Sequence, residues 1–149
     1  MLGEAGDALQ EILLVEPRVD LVSYAPTEAR PVWTLVTSGM SARDMNVPPG
    51  LNAPRRVELV MSFAPREMER IRNLAQDATG LALVNTLRWL ARFPYRADTF
   101  FDRGHSVPMP EEFDLGDLSR YMGVLLAEPM TWAREATTVG GVQFLADYP

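Results

Sequence analysis

The sequence has no cysteine among its 149 residues and contains a single histidine, His105. Without cysteine there is no disulfide framework, no thiolate nucleophile and no zinc site built from cysteine ligands. One histidine cannot form a histidine-rich metal site, and the four carboxylates between residues 111 and 117 lack the spacing of a calcium-binding EF-hand loop. We therefore expect neither a metal ion nor another cofactor.

Long apolar runs and clusters of basic residues are missing as well. No segment approaches the ~18 consecutive apolar residues of a membrane-spanning helix, and the acidic N-terminus has no basic cluster like that of a signal peptide. The net charge of −6 opposes nonspecific nucleic-acid binding, which depends on Lys and Arg contacts to phosphate, and would suit a basic protein partner. These features predict a cytoplasmic protein that binds neither membranes nor nucleic acid.

The order of apolar patterns predicts the fold class. The chain has the length of one compact domain, residues 1–149, and its 12 prolines favour many short elements. Alternating or short apolar runs predict strands over residues 18–26, 32–41, 55–63, 104–109, 121–127 and 141–146. Apolar residues at helical spacing predict a short helix over residues 7–15 and two further helices, whose apolar stripes span residues 68–75 and 83–91. Strands before and after the helices indicate an α+β domain, with a mixed or antiparallel sheet and helices packed on it.

Proline and glycine set the predicted boundaries of these elements. Pro65 suits the first position of a helix, and Gly80 interrupts the helical pattern, with Thr79 as a cap. The second long helix is predicted to stop near Phe93, because Pro94 follows. Residues 27–31 are predicted to form a turn between two strands, and residues 42–54 and 110–117 to form loops.

The segment Ser38-Gly39-Met40-Ser41 raises the question of catalysis. A serine nucleophile needs a base within hydrogen-bond reach, and the candidate is His105. The order of residues differs from the Gly-x-Ser-x-Gly elbow of α/β-hydrolases, and the scattered glycines form no phosphate-binding loop. The alternative is a glycine bend at a strand end, with the serines hydrogen-bonded to nearby backbone and His105 donating to a backbone carbonyl. We predict this second arrangement and therefore no catalytic residues.

Several segments, in this order, resemble the suppressor-of-fused domain family: VDLVSYAPT with TLVTSGMS, RVELVMSF, LVNTLRWLARFP, DRGHSVPM, MGVLLAEP and GVQFLADYP. The likeness spans residues 18–149 and is most specific where TLVTSGMS is followed by RVELVMS. It implies a non-enzymatic α+β domain for protein binding; in the animal members, the extended peptide ligand adds as a strand between two domains. The short chain is similar to bacterial single-domain members, many of which are proposed immunity proteins against polymorphic toxins.

The resemblance also implies which residues contact a ligand. The family's aromatic contact at the end of the long helix falls on Phe93, and the acidic contact before the family's histidine falls on Gly104, next to His105. Because glycine carries no carboxylate, we expect the ligand of the animal members not to bind in the same way. The second domain of those members is missing here, and the sequence stops at Pro149 where the family continues with an acidic helical segment, so we expect a truncated or minimal member.

The predicted function is a protein-binding module, specifically an immunity protein that neutralises a toxin domain of basic charge. Two alternatives stay open from the sequence. One is a scaffold or regulatory domain of a larger protein. The other is a hydrolase that uses Ser38 or Ser41 with His105.

Overall fold

The computed structural model of the protein describes residues 5–11, 15–73, 76–110, 123–129, 138–139 and 142–148, the last two ranges by their backbone alone. Eight strands and two α-helices form within these ranges: β1 (Ala5–Leu9), β2 (Asp20–Tyr24), β3 (Trp33–Ser38), β4 (Val57–Phe63), α1 (Pro65–Arg72), α2 (Ala78–Arg96), β5 (Ser106–Pro108), β6 (Gly123–Ala127), β7 (Thr138–Val139) and β8 (Val142–Tyr148). A short 3-10 helix, Met40–Ala42, follows β3.

The described strands join in one mixed sheet. The strand order is β1-β2-β3-β4-β8-β6-β5, and β7 pairs with β8 beside this path. The pairing of β4 with β8 is parallel, and the others are antiparallel. A parallel pair needs a long crossover, and α1 and α2 lie within it. The predicted fold class, α+β with a mixed sheet and packed helices, is confirmed.

One face of the sheet and both helices enclose the hydrophobic core. In the β3–β4 pairing, Leu35 lies opposite Met61, and alternation places Leu59 on the same face. The predicted helical stripes provide the other half of the core, because residues three and four apart share one side of a helix. The buried apolar side chains of this core are Leu21, Leu35, Val57, Leu59, Met61, Phe63, Val107, Val124 and Leu126 from the sheet and Met68, Ile71, Leu83, Val84, Leu87, Leu90 and Ala91 from the helices.

Gly80 does not separate two helices as predicted, and Thr79 is not the cap. Gly80 lies in the first turn of α2, and the cap is Asp77, whose Oδ1 accepts the Gly80 N–H at 3.0 Å. A Cβ at position 80 would lie 2.2 Å from the carbonyl oxygen of Arg70 in α1. Glycine is therefore needed here for the close approach of the two helices, which no local pattern reveals.

The predicted end of α2 near Phe93 is also wrong, because the helix continues through Pro94 to Arg96. Proline cannot donate to the preceding turn, yet here only the last turn is affected. Beyond it, the N–H of Ala97 donates to the Phe93 carbonyl at 2.9 Å. The hydroxyl of Tyr95 is anchored on the Met40 carbonyl at 2.5 Å, so a tertiary contact holds the turn that follows the proline.

The helix predicted over residues 7–15 is replaced by a strand. Residues Ala5–Leu9 form β1 and pair with β2, while residues 12–14 lie outside the described ranges. A helix would use the Leu9 carbonyl internally, whereas here it accepts from Nη2 of Arg88 at 2.8 Å. Pairing with β2 and with α2 therefore overrides a short local pattern.

The other predicted elements agree with the structure apart from their ends: the strand predicted over residues 32–41 stops at Ser38, and the 3-10 helix Met40–Ala42 extends into the loop predicted over residues 42–54. The predicted turn closes through a Thr27–Arg30 bridge, residues 43–54 contain no helix or strand, and Pro65 begins α1. The predicted strands over 104–109, 121–127 and 141–146 correspond to β5, β6 and β8. The acidic loop after Pro110 lies outside the described residues. None of the described helices is both long and apolar enough to span a bilayer.

Candidate functional site

The segment 38–41 forms a tight bend at the end of β3. Gly39 has a φ of 111°, in the left-handed region that favours glycine, and a Cβ there would lie 2.4 Å from the Arg18 carbonyl oxygen. The backbone then enters the short 3-10 helix, which buries Met40. The predicted glycine bend is confirmed, and its cause is both the dihedral angle and the close approach of a neighbouring chain segment.

A buried carboxylate holds this bend together. The Glu58 side chain, only 5% exposed, accepts the backbone N–H groups of Gly39 and Ser41, each at 3.0 Å. It also accepts the hydroxyls of Thr37 at 2.6 Å and Ser41 at 2.7 Å. The described β3–β4 pairs end at Val36 and Val60, so the carboxylate replaces the ladder where β3 turns away. We call Glu58 with these donors the Glu58 cluster.

The Glu58 cluster occupies the hydroxyl of Ser41, one of the two candidate nucleophiles. Ser41 gives its hydroxyl to a carboxylate rather than to an imidazole, and not to backbone as the sequence predicted. His105 lies in a different environment, a groove whose lining includes neither Ser38 nor Ser41. Within the described ranges, no group of three or more His, Asp or Glu residues is placed to hold a metal ion.

Tyr95 ties the end of α2 to the same bend. Its hydroxyl lies 2.5 Å from the Met40 carbonyl and 3.0 Å from that of Arg43, and the Arg43 guanidinium lies over its ring. Burial, with a smaller contribution from the negative charge of Glu58, raises the pKa of Tyr95 to about 12 from an ordinary 10.0. Both effects disfavour the phenolate and keep the hydroxyl as a donor.

The raised pKa of Tyr95 predicts a loss of stability in alkali. A phenol whose pKa is higher in the folded state contributes stability that is complete below pH 10 and lost as the pH rises through about 12. The sequence contains no lysine, so few other groups titrate in this range. We expect the Tyr95→Phe substitution to lower the free energy of unfolding, measured with urea, by about 1 kcal/mol at pH 8. We expect the difference from the wild type to shrink towards pH 11, and a constant difference would contradict this assignment.

A groove beside β5, the strand at one end of the sheet, brings the three predicted ligand-contacting residues together. It has a volume of about 360 Å³ and lies between the end of α2, the segment that follows it, and β5. Its lining is Phe93, Thr99, Phe100, Phe101, Gly104, His105, Ser106 and Val107. Phe93 lies in α2, whereas Gly104 and His105 directly precede β5, and all three line the same groove. We call it the Phe93–His105 groove.

Aromatic contacts fix the walls of the groove. Phe93 stacks on Phe101 with ring centroids 6.0 Å apart and planes 3° apart, and it meets Trp89 at 5.5 Å. The His105 ring meets Phe100 edge to face at 5.1 Å. Phe101 is fully buried, while Phe93, Phe100 and His105 are half-buried. The groove thus has aromatic walls on which an apolar or aromatic side chain can pack, with the His105 imidazole beside them.

Backbone hydrogen bonds connect Gly104 and His105 to β6. The Gly104 N–H donates to the Leu126 carbonyl at 2.8 Å, and the Leu126 N–H donates to the His105 carbonyl at 2.8 Å. The hydrogen bonds described at His105 are made by its backbone, not by a ring donating to a carbonyl as the sequence predicted. Asp102 begins this turn, and its backbone carbonyl accepts the His105 N–H at 3.2 Å.

Among the described residues, one edge of β5 has no strand partner, and this edge lies beside the groove. β5 pairs with β6 alone among the described strands, at the end of the sheet. In an antiparallel ladder, alternate residues point their backbone groups towards the partner. The His105–Leu126 hydrogen bond makes Val107 the next inward position, opposite Val124. Ser106 and Pro108 therefore direct their backbone outward, and since proline has no N–H, Ser106 gives this edge its donor.

Part of the Phe93–His105 groove and the role of Glu58 were not predicted from the sequence. Phe100 and Phe101 form much of the groove, and the signal was an aromatic pair directly before the turn to β5. Glu58 was assigned to a strand face without a role, although a charged residue within the apolar run of β4 (VELVM) was the available signal.

The described residues thus form an α+β domain with a mixed sheet, a bend held by a carboxylate and an aromatic groove beside the last strand of the sheet. The sequence profile of the suppressor of fused protein (SUFU) family matches residues 15–149. The chain therefore belongs to the SUFU family.

A crystal structure supports the fold assignment independently. It is that of a protein from Neisseria gonorrhoeae FA 1090, described as a SUFU homolog, and it matches with a TM-score of 0.59 and 17% sequence identity. The alignment covers 96% of this chain and 67% of the other. A search of curated proteins gives no match.

Proposed function

We propose that the protein is a non-enzymatic binding module that accepts an extended protein segment at the edge of β5 that faces away from β6. The observation that carries this proposal is the position of the outward Ser106 N–H beside the Phe93–His105 groove. An exposed strand edge recruits an extended chain through main-chain hydrogen bonds, and neighbouring pockets select its side chains.

The short edge dictates what the bound segment must provide. β5 has three residues, and Pro108 contributes no donor, so main-chain pairing alone is weak. An apolar or aromatic side chain in the Phe93–His105 groove would add buried area against Phe93 and Phe100. We therefore propose a ligand with one such anchor residue in an otherwise extended stretch.

A substitution at Ser106 separates edge pairing from other modes of binding. Ser106→Pro removes the outward N–H without removing a bond to β6, and Ser106→Ala is the matched control that keeps it. Peptides of about twelve residues would first be selected from a random library for binding to the wild-type chain. We expect them to bind Ser106→Ala with unchanged affinity and Ser106→Pro with an affinity at least about tenfold lower. The measurement is fluorescence anisotropy with purified variants.

The groove is tested with a second pair of variants. Phe93→Leu keeps most of the apolar volume, whereas Phe93→Ala empties one wall of the groove. Weaker binding by Phe93→Ala than by Phe93→Leu would support the anchor. Equal affinity for all four variants would overturn the proposed site, provided that circular dichroism shows each variant to be folded.

The finer proposal is that the bound protein is a toxin domain and that this chain is its immunity protein. The acidic net charge of −6 supports a basic partner, and the family resemblance supports a protein ligand. A toxin domain encoded beside this gene would be expressed in a sensitive host together with each Ser106 variant. We expect growth with the wild type and Ser106→Ala but not with Ser106→Pro. Failure of the wild type to restore growth would contradict the immunity role alone, leaving the peptide measurements unaffected.

A further inference from the structure

The opposite edge of the sheet carries a strand that contributes little to the core. The side chains of Ala5 to Ala8 in β1 are exposed, and only Leu9 is half-buried. Pairing with β2 is irregular between Ala5 and Ala8. The family profile begins at residue 15, so β1 precedes the part of the chain that the family shares. This segment therefore has little apolar burial to offset the entropy of ordering it.

Polar contacts to α2 hold the segment instead. Arg88 donates to the carbonyls of Leu9 at 2.8 Å and Val19 at 3.3 Å. One turn later, Arg92 donates to the Pro17 carbonyl at 3.2 Å and forms an ion pair with Glu11. We call Arg88 and Arg92 the arginine clamp.

The ion pair of the clamp is buried on both sides. Arg92 is 6% exposed and Glu11 is 7% exposed. The second contact of the Glu11 carboxylate is the Val19 N–H, at 3.0 Å, and the Glu11 N–H donates to Asp20 at 2.8 Å. Removing the cation from a buried ion pair strongly destabilises the folded protein, because the carboxylate is left buried without a partner. The attachment of residues 5–11 thus depends on the β1–β2 pairing and on a few specific polar bonds more than on apolar packing.

We propose that residues 5–11 are an exchangeable strand, and that the β2 edge together with the arginine clamp accepts the same segment from a second copy of the chain. The second copy carries the sequence that this site already binds, so an exchanged pair would retain the β1–β2 pairing and the Glu11–Arg92 contact. Local opening of a weakly packed edge strand provides the route. The proposal is independent of the β5 edge, which lies at the other end of the sheet.

Single cysteines detect exchange cleanly because the chain contains none of its own. Ala8 and Val22 are directly opposite in the β1–β2 register. A chain with Ala8→Cys and another with Val22→Cys cannot close this bridge alone, so a disulfide between them requires β1 of one copy on β2 of the other. The mixture is sampled over time under mild oxidation on non-reducing gels, and the bridge is identified by mass spectrometry.

Matched mixtures distinguish exchange from collision. Ser62 is exposed on β4, so Ala8→Cys mixed with Ser62→Cys reports random encounters. We expect the Ala8→Cys and Val22→Cys mixture to cross-link about tenfold faster than this control. Adding Arg92→Met or Glu11→Gln to both chains should increase the rate about tenfold further, because the clamp is then broken. Glu11→Gln serves if Arg92→Met does not fold.

The double variant Ala8→Cys/Val22→Cys in one chain confirms that the geometry allows a disulfide. The proposal is overturned if this double variant closes its bridge while the two single variants cross-link no faster than the control, with the clamp intact or broken.

Discussion

Replacing Glu58 with alanine is expected to lower the free energy of unfolding by about 3–5 kcal/mol, since it leaves several donors without an acceptor in a largely buried bend. Those donors are the N–H groups of Gly39 and Ser41 and the hydroxyls of Thr37 and Ser41. Gly39 cannot move away to find water, because the Arg18 carbonyl lies against it. The change would be a large fraction of the stability of a domain of this size.

The contrast with Glu58→Gln tests the mechanism of this loss. Glutamine keeps the oxygen that serves Gly39 and Ser41, and its amide would face the Thr37 hydroxyl, which can rotate to accept. We expect Glu58→Gln to cost less than half as much as Glu58→Ala. Ser62→Ala, at an exposed position of the same strand, is the control and should change little. Urea unfolding measures all three, and a cost below about 1 kcal/mol for Glu58→Ala would show that the carboxylate does not hold the bend.

Gly80→Ala is expected to destabilise the protein by about 3 kcal/mol, although alanine is the better helix former. The added Cβ would lie 2.2 Å from the carbonyl oxygen and 2.5 Å from the carbonyl carbon of Arg70. These are backbone atoms of α1, so relief requires the two helices to separate. Separation would loosen the core to which α1 contributes Ile71 and α2 contributes Leu83.

An exposed position of the same helix provides the comparison for Gly80. Asn85→Ala introduces alanine into α2 without a clash, so it should be neutral or slightly stabilising. Thermal or urea unfolding of both variants decides the sign. If Gly80→Ala were as stable as the wild type, the close approach of α1 and α2 would not be the reason for this glycine.

The sequence predicted the elements whose pattern is local. The alternation in β4 and the stripe of Leu83, Leu87 and Leu90 in α2 each encode a buried face within a few residues. The glycine bend after β3 was also predictable, because glycine at a strand end indicates a special backbone geometry. Residues Phe93, Gly104 and His105 were chosen by family resemblance, and the structure lines one groove with all three.

The errors occurred where distant residues decide local structure. β1 was predicted as a helix, because the arginine clamp that fixes it lies about eighty residues away on α2. Pro94 was predicted to end α2, because the anchor of Tyr95 on the bend after β3 cannot be seen in the helix itself. The role of Glu58 was missed for the same reason, since its donors belong to another strand.

The sequence alone determined the fold class, the main strands and the apolar faces of both helices, because hydrophobic periodicity records which side of an element is buried. Tertiary structure alone decided the close helix crossing at Gly80, the acceptors gathered on Glu58 and the aromatic walls beside β5. Those features depend on distances between segments remote in the chain. Such distances are set by the packing of the whole sheet and its helices, not by the preference of any one stretch of residues.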